Sequence, residues 1–196
     1  FPQVLSDSGA RVLVTDTAGL AKLAEIRSDL PGLDLVISVD GPETGVFGFD
    51  DLLDKASDTY RTLATTPDDP ALMIYTSGTT GQPKGVLHGH RVLLGHMPGI
   101  ELSQNFLGRE GDLLWTPADW AWAGGLLNAL FPALSLGVPV VCHASRKFDP
   151  EFAFHLLERQ KIRNAFIPPT ALKMLRAVER PAERFDLTWR SVGSAG

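Results

Sequence analysis

Seven short runs rich in β-branched and aliphatic residues recur along the chain, with room for a helix between most of them. They are RVLVT (11–15), LVISV (35–39), LMIYT (72–76), DLLWT (112–116), VPVVC (138–142), NAFI (164–167) and RSVG (190–193). Several are apolar throughout, as expected of strands covered on both faces. Helical patterns fall between them at about 17–28, 87–104, 121–136, 150–160 and 169–179. The pattern at 150–160 opens well: Asp149 can cap, Pro150 suits the first turn, and Glu151 favours the positive end of the helix dipole. This alternation predicts an α/β fold, a layered and mostly parallel β-sheet with flanking helices.

The segment 41–70 breaks the rhythm. It is rich in Gly, Thr, Asp and Pro and is expected to be a surface excursion with one short helix near 50–57. From Trp120 to Cys142 the chain carries no charge, long enough to invite a membrane-spanning reading. Gly124, Gly125, Pro132, Gly137 and Pro139 cut it into pieces, so a buried helix followed by a buried strand is expected instead.

With 196 residues, 44% of them hydrophobic and 21% charged, the chain has the composition of a globular protein with a sizeable core. The net charge of −5 implies no general polyanion-binding surface, and no basic stripe suits a nucleic acid. Any phosphate must be held locally. Cys142 is the one cysteine, which excludes an internal disulfide framework and suits a reducing, cytoplasmic setting. Its apolar run predicts a plain buried thiol. The start of the sequence has neither the basic nor the apolar region of a signal peptide.

Residues 75–85, YTSGTTGQPKG, concentrate unusual chemistry. A strand is expected to end at Tyr75 or Thr76. Gly78, Gly81 and Gly85 then allow backbone angles and close approaches that other residues forbid. Thr76, Ser77, Thr79 and Thr80 supply hydroxyls and Lys84 a cation, with a helix expected to follow. Free N–H groups, hydroxyls and an ammonium make a phosphate cradle. The Walker A pattern does not fit: Gly78 and Gly81 are too close, Pro83 precedes Lys84, and Gly85 stands where a hydroxyl should be. A ligand-free surface turn remains open on composition alone. A Ser77/Lys84 amide hydrolase is disfavoured, because that spacing fits no helix face.

The stretch YTSGTTGQPKGVLHGH resembles the signature loop of the AMP-forming acyl-CoA synthetases. These belong to the adenylate-forming superfamily, with luciferases and peptide-synthetase adenylation domains. The likeness extends to SGARVLVTD (8–16), LLWTPADWAWAGGLLNALFPALSLGVPVV (113–141), NAFIPPTALKML (164–175) and RSVGSAG (190–196), and leans towards the acetyl- and medium-chain branch. It implies part of the large N-terminal, AMP-binding domain of that fold over 1–196. The implied chemistry is attack of a carboxylate on Mg-ATP to give acyl-AMP and pyrophosphate, then thioester formation with CoA. The resemblance places Thr76, Ser77, Gly78, Thr79, Thr80 and Gly81 at the β- and γ-phosphates. Lys84 and Thr79 are its catalytic candidates. Gly193, Ser194, Ala195 and Gly196 would approach the adenine or the acyl group. Trp122, Gly124 and Gly125 would shape the acyl pocket, and Pro169 and Thr170 would border the acyl and CoA channel.

Departures accompany the likeness. The family's tyrosine-glycine-x-threonine-glutamate and threonine-glycine-aspartate motifs, its hinge and its C-terminal catalytic-lysine domain do not occur in this sequence. The chain is therefore expected to be an internal piece of a larger ligase and to be inactive alone. Two alternatives stand: a non-catalytic nucleotide-binding or assembly module, and an adenylating enzyme with another acceptor. A truncated sheet is expected to self-associate through exposed edges.

For several of these residues a structural role competes. Trp115, Trp120 and Trp122 suit core packing. Thr170 suits a helix cap after Pro168 and Pro169. RAVERPAERFD (176–186) reads as a solvated helix end that Pro181 terminates. His88 and His90 fall on different faces of the expected helix, and no metal site is predicted. His90 is expected to help order that helix start.

Overall fold

The computed structural model describes residues 2–77, 81–143 and 147–195, with Ser77 by its backbone alone. These residues form two compact units, 1–90 and 91–196.

The first unit opens with α1 (Pro2–Asp7), β1 (Val12–Thr15), α2 (Thr17–Ile26) and a 3₁₀ turn (Arg27–Asp29). β2 (Leu35–Ser38), β3 (Phe47–Gly48) and α3 (Phe49–Lys55) follow. Two aspartates start α2. Asp16 accepts from the Gly19 N–H at 2.8 Å, and Asp40 Oδ2 accepts from both the N–H and the hydroxyl of Thr17, each at 2.8 Å. These bonds satisfy donors that a helix start leaves unpaired, and they hold the Asp40 carboxyl below its ordinary range, the Thr17 N–H most strongly. β1, β2 and β3 form a parallel sheet in that order. Its core gathers Leu23, Leu30, Leu33 and Val36. The 41–70 segment thus contributes a strand to this sheet as well as α3.

β4 (Pro70–Ser77) and β5 (Pro83–Gly89) form a separate antiparallel pair. This corrects the sequence expectation of a helix over 87–104. The chain stays extended to Gly89, and α4 (Val92–Ser103) begins only after it. The apolar pattern of α4 continues backwards as far as Leu87. What holds residues 87–89 extended is the ladder to β4, a tertiary term outside local periodicity. No helix start therefore follows the glycine-rich segment directly. His88 lies in the strand opposite Leu72, and the His90 N–H donates to the Asp69 carbonyl rather than ordering a helix start.

The second unit is a parallel sheet of order β7-β6-β8-β9. Its strands are β6 (Leu114–Trp115), β7 (Val140–Val141), β8 (Asn164–Phe166) and β9 (Ser191–Gly193). Alternate residues serve opposite faces. Trp115 and Ala165 join a cluster with Phe154, Leu157, Ala171 and Leu175, from α7 (Pro150–Gln160) and α8 (Pro169–Arg176). Leu114 and Phe166 join Ile100 of α4, Ala129 and Ala133 in a second cluster. The expected helix over 121–136 is three joined pieces: α5 (Ala123–Gly125), a π-helical stretch (Leu126–Leu130) and α6 (Phe131–Ser135). The α7 cap forms as read, with Asp149 accepting from the N–H groups of Glu151 and Phe152.

The mostly parallel α/β reading therefore holds, with the described residues forming three sheets. Three local expectations are corrected. Thr170 caps nothing: Pro168 is the residue before α8 and no side chain caps that helix. Pro181 does not terminate a helix but opens α9 (Pro181–Arg184), because its fixed φ suits a first turn. Cys142 is exposed rather than buried, because β7 ends one residue before it.

Candidate functional site

The β4–β5 hairpin carries the first group of candidates. Its register sets Thr76 opposite Lys84 and Ser77 opposite Pro83. A hydroxyl-bearing residue and the lysine thus flank the hairpin end, both exposed. Gly81 has φ +82°, the left-handed region that glycine enters freely. Gly78, Thr79 and Thr80 lie outside the described residues, as does the Ser77 side chain. Gly85 has a packing reason: a Cβ there would stand 2.8 Å from Met73 Sδ and 3.0 Å from Tyr75 Cζ. The Tyr75 ring thus crosses the strand opposite it. Its hydroxyl donates to Asp7 Oδ2 at 2.6 Å, tying β4 to α1. This bond to the carboxylate is the main reason that the phenol titrates above its ordinary range.

In the second unit, chemistry gathers at the carboxyl ends of the parallel strands, where such sheets open their crevices. Beyond β6 and β7 lies a cavity of about 670 Å³, lined among others by Trp115, Thr116, Trp120, Cys142, His143 and Phe152. The His143 ring stacks on Phe152 at 4.6 Å between centroids. Of the five predicted pocket residues, Trp122, Gly124, Gly125, Pro169 and Thr170, none lines this cavity. Trp122 is 45% exposed and stacks on Phe166 at 6.4 Å. Its indole lies where a Gly124 side chain would be, 2.2 Å from an added Cβ. Gly125 is equally constrained, since a Cβ would meet the Asp119 carbonyl oxygen at 2.3 Å. Both glycines let the chain fold back beside Trp122. Pro169 and Thr170 are exposed at the start of α8. The cavity residues went unpredicted, although each follows or ends a predicted strand or opens the predicted 150–160 helix.

β9 leads to the last candidates. Gly193 pairs with Phe166, and Ser194 and Ala195 continue exposed; Gly196 lies outside the described residues. Beneath this strand lies a buried ion pair. Arg190 donates to both oxygens of Asp112, at 2.9 and 2.6 Å, and the Asp112 side chain is fully buried. Burial alone would raise that carboxyl's pKa; the Arg190 bonds and the N–H groups of Arg109 and Gly108 outweigh it and hold the group below its ordinary range.

Among the described residues, no group of three or more His, Cys, Asp or Glu is placed to hold a metal, and no helix is long and apolar enough to cross a membrane.

Comparison with known proteins completes this picture. The chain is 33% identical over 180 residues to an indoleacetate–CoA ligase of Aromatoleum aromaticum, covering 91% of this chain and 34% of that protein. It is 31% identical to a benzoate–CoA ligase of Thauera aromatica, over 100% of this chain and 36% of the relative. An acetyl-coenzyme A synthetase 2 of Debaryomyces hansenii is 36% identical over 66% of the chain and 19% of its own length. The crystal structure of a Brucella canis acyl-CoA synthetase superimposes over the whole chain with a TM-score of 0.83 at 29% identity, covering 35% of that protein. The chain thus spans between about a fifth and about a third of the relatives it matches. The family described as AMP-binding enzyme matches residues 2–196. The chain belongs to the AMP-binding enzyme family.

Proposed function

We propose that the protein carrying this chain is an ATP-dependent, AMP-forming acyl-CoA synthetase. A carboxylate attacks the α-phosphorus of ATP, giving acyl-AMP and releasing pyrophosphate. The CoA thiol then attacks the acyl carbon, its proton is lost, and AMP leaves. The observation that carries this reading is the hairpin that sets Thr76 opposite Lys84 at the end of a strand pair, in a chain whose relatives named above are CoA ligases or synthetases.

The first step brings an anion up to a polyanion, so it needs fixed donors and a cation. Lys84 supplies the cation, and Thr79 is its catalytic companion. Thr76, Ser77, Gly78, Thr80 and Gly81 hold the β- and γ-phosphates. Glycine at 81 lets backbone N–H groups turn towards a phosphate without steric cost. Mg²⁺ enters with ATP and neutralises its charge. Gly193, Ser194, Ala195 and Gly196 form a wall of the nucleotide site. Trp122, Gly124 and Gly125 limit the acyl pocket, and Pro169 and Thr170 border the channel for CoA. We place the enzyme in the cytoplasm, where ATP and CoA are at hand.

ATP-dependent pyrophosphate release by the intact natural protein, across a panel of short, medium and aromatic carboxylic acids, tests the reading. Release that requires both an acid and ATP, followed by CoA thioester formation, is expected. Release that no acid stimulates would refute it. Within that panel, Trp122→Ala is expected to extend the accepted acyl length, and an unchanged preference would remove Trp122 from the pocket. The 196-residue chain alone is expected to bind Mg-ATP only weakly, and sub-micromolar affinity by isothermal titration would contradict this.

A further inference from the structure

β9 has three residues and, among the described residues, is bonded within the sheet to β8 through Asn164↔Ser191, Ala165↔Val192 and Phe166↔Gly193. So short a ladder fixes a strand end poorly. The structure adds a brace from outside the sheet. Gln104 ends α4 and is fully buried. Its Nε2 donates to the Ala165 carbonyl of β8 at 3.0 Å, and its Oε1 accepts from the Ser191 hydroxyl of β9 at 2.7 Å. One amide thereby joins both strands. Its Nε2 also stands 2.8 Å from where a Cβ on Gly193 would be, so it occupies the space beside that glycine.

A second layer fixes the brace. The Asn164 amide lies in the same group, within 2.9 Å of Asp112 Oδ1, 3.0 Å of Arg190 Nη2 and 2.7 Å of Ser191 Oγ. Arg190 Nη1 also donates to the Asn105 carbonyl at 2.6 Å, the residue after Gln104. The end of α4 and the start of β9 are thus clamped to one buried carboxylate. Such a network specifies one arrangement when its members are satisfied.

We propose that Gln104 is a positioning residue for the nucleotide: it sets the height and direction at which Gly193, Ser194 and Ala195 leave the sheet. This rests on the reading of 193–196 as a wall of the nucleotide site. Gln104 itself touches no substrate. Its effect should therefore fall on the affinity for the adenosine part of the ligand and spare the phosphate contacts of the β4–β5 hairpin.

The test uses the intact natural protein and equilibrium dialysis with AMP and, separately, Mg-pyrophosphate. Gln104→Met keeps the side chain's length and removes both hydrogen bonds. The expected result is AMP affinity weakened about fivefold or more, the equivalent of one to two lost hydrogen bonds, with pyrophosphate affinity within about twofold of wild type. Ser191→Ala, which removes only the hydroxyl, is expected to weaken AMP by a smaller factor in the same direction. AMP affinity within about twofold of wild type in both variants, whatever happens to the thermal midpoint, would overturn the proposal and leave Gln104 a structural residue. Equal weakening of AMP and pyrophosphate would overturn it too. Should Gln104→Met fail to fold, Ser191→Ala decides by the same criterion. Wild-type protein that binds pyrophosphate but not AMP would refute the nucleotide-wall reading itself, and the proposal with it.

Discussion

The hairpin β4–β5 and the strand end of β9 carry two halves of the proposed nucleotide chemistry, and they are built on opposite principles. The hairpin is lightly packed. Met73, Val86 and Leu87 are 40%, 44% and 57% exposed, and its described anchors are its own ladder and the Tyr75–Asp7 hydrogen bond. β9 exposes Val192 at 37%, but it is braced from beneath by a buried ion pair and by Gln104, Asn164 and Asp112, each at most 4% exposed. A segment that must admit and release a polyphosphate gains from a low local stability. A wall that must present one shape gains from being over-determined.

The contrast can be broken from either side. The largest expected effect is on stability. Asp112→Ala would leave Arg190 buried without its partner and should cost the second unit about 3–5 kcal/mol, read as a lower denaturant midpoint. Unchanged midpoints would mean that β9 is not held as described. Next comes Lys84→Ala. In the intact protein it should lower ATP-dependent pyrophosphate release about 100-fold while leaving the denaturant midpoint unchanged. A loss of stability instead of activity would make Lys84 structural.

Acid should separate the two regions more gently. The Asp112 carboxyl titrates below its ordinary 3.8, so its contribution is complete above that value and is lost as pH falls through its lower folded value. The second unit's thermal midpoint should therefore drop below about pH 4, and Asp112→Asn should flatten that part of the profile. Smaller still is the effect of Tyr75→Phe. It removes the bond to Asp7, and faster amide exchange is expected in residues 2–7 with none in β9; equal exchange in both would deny the hairpin its anchor. Cys142 offers a check on the exposed end of β7. Its thiol should react with a disulfide reagent in the native protein, and reaction only after denaturation would return it to the core.

Much of this was legible in residue order. The strands at 12–15, 35–38 and 164–166 and the helix at 150–160 follow from apolar runs and from Asp149 and Pro150, which are local signals. The segment 75–85 stands out in the sequence because glycines, hydroxyls and a lysine crowd into eleven residues. What the sequence hid was non-local. Residues 87–89, the end of β5, read as the start of a helix until β4 is there to pair with them. The opening role of Pro181 depends on Arg180 adopting a left-handed conformation just before it.

Sequence alone determined the α/β alternation, the crowding of glycines, hydroxyls and a lysine at 75–85 and the capped helix α7, because each is written in neighbouring residues. Only the tertiary structure decided that the loop segment lies on an antiparallel hairpin, that Cys142 faces a cavity, and that Gln104, Asn164, Asp112 and Arg190 converge beneath β9. Those residues are up to 86 positions apart, between Gln104 and Arg190. No local pattern marks them. Burial makes an unpaired amide or carboxylate costly, and that cost, which exists only once the chain is folded, drives each to its partner.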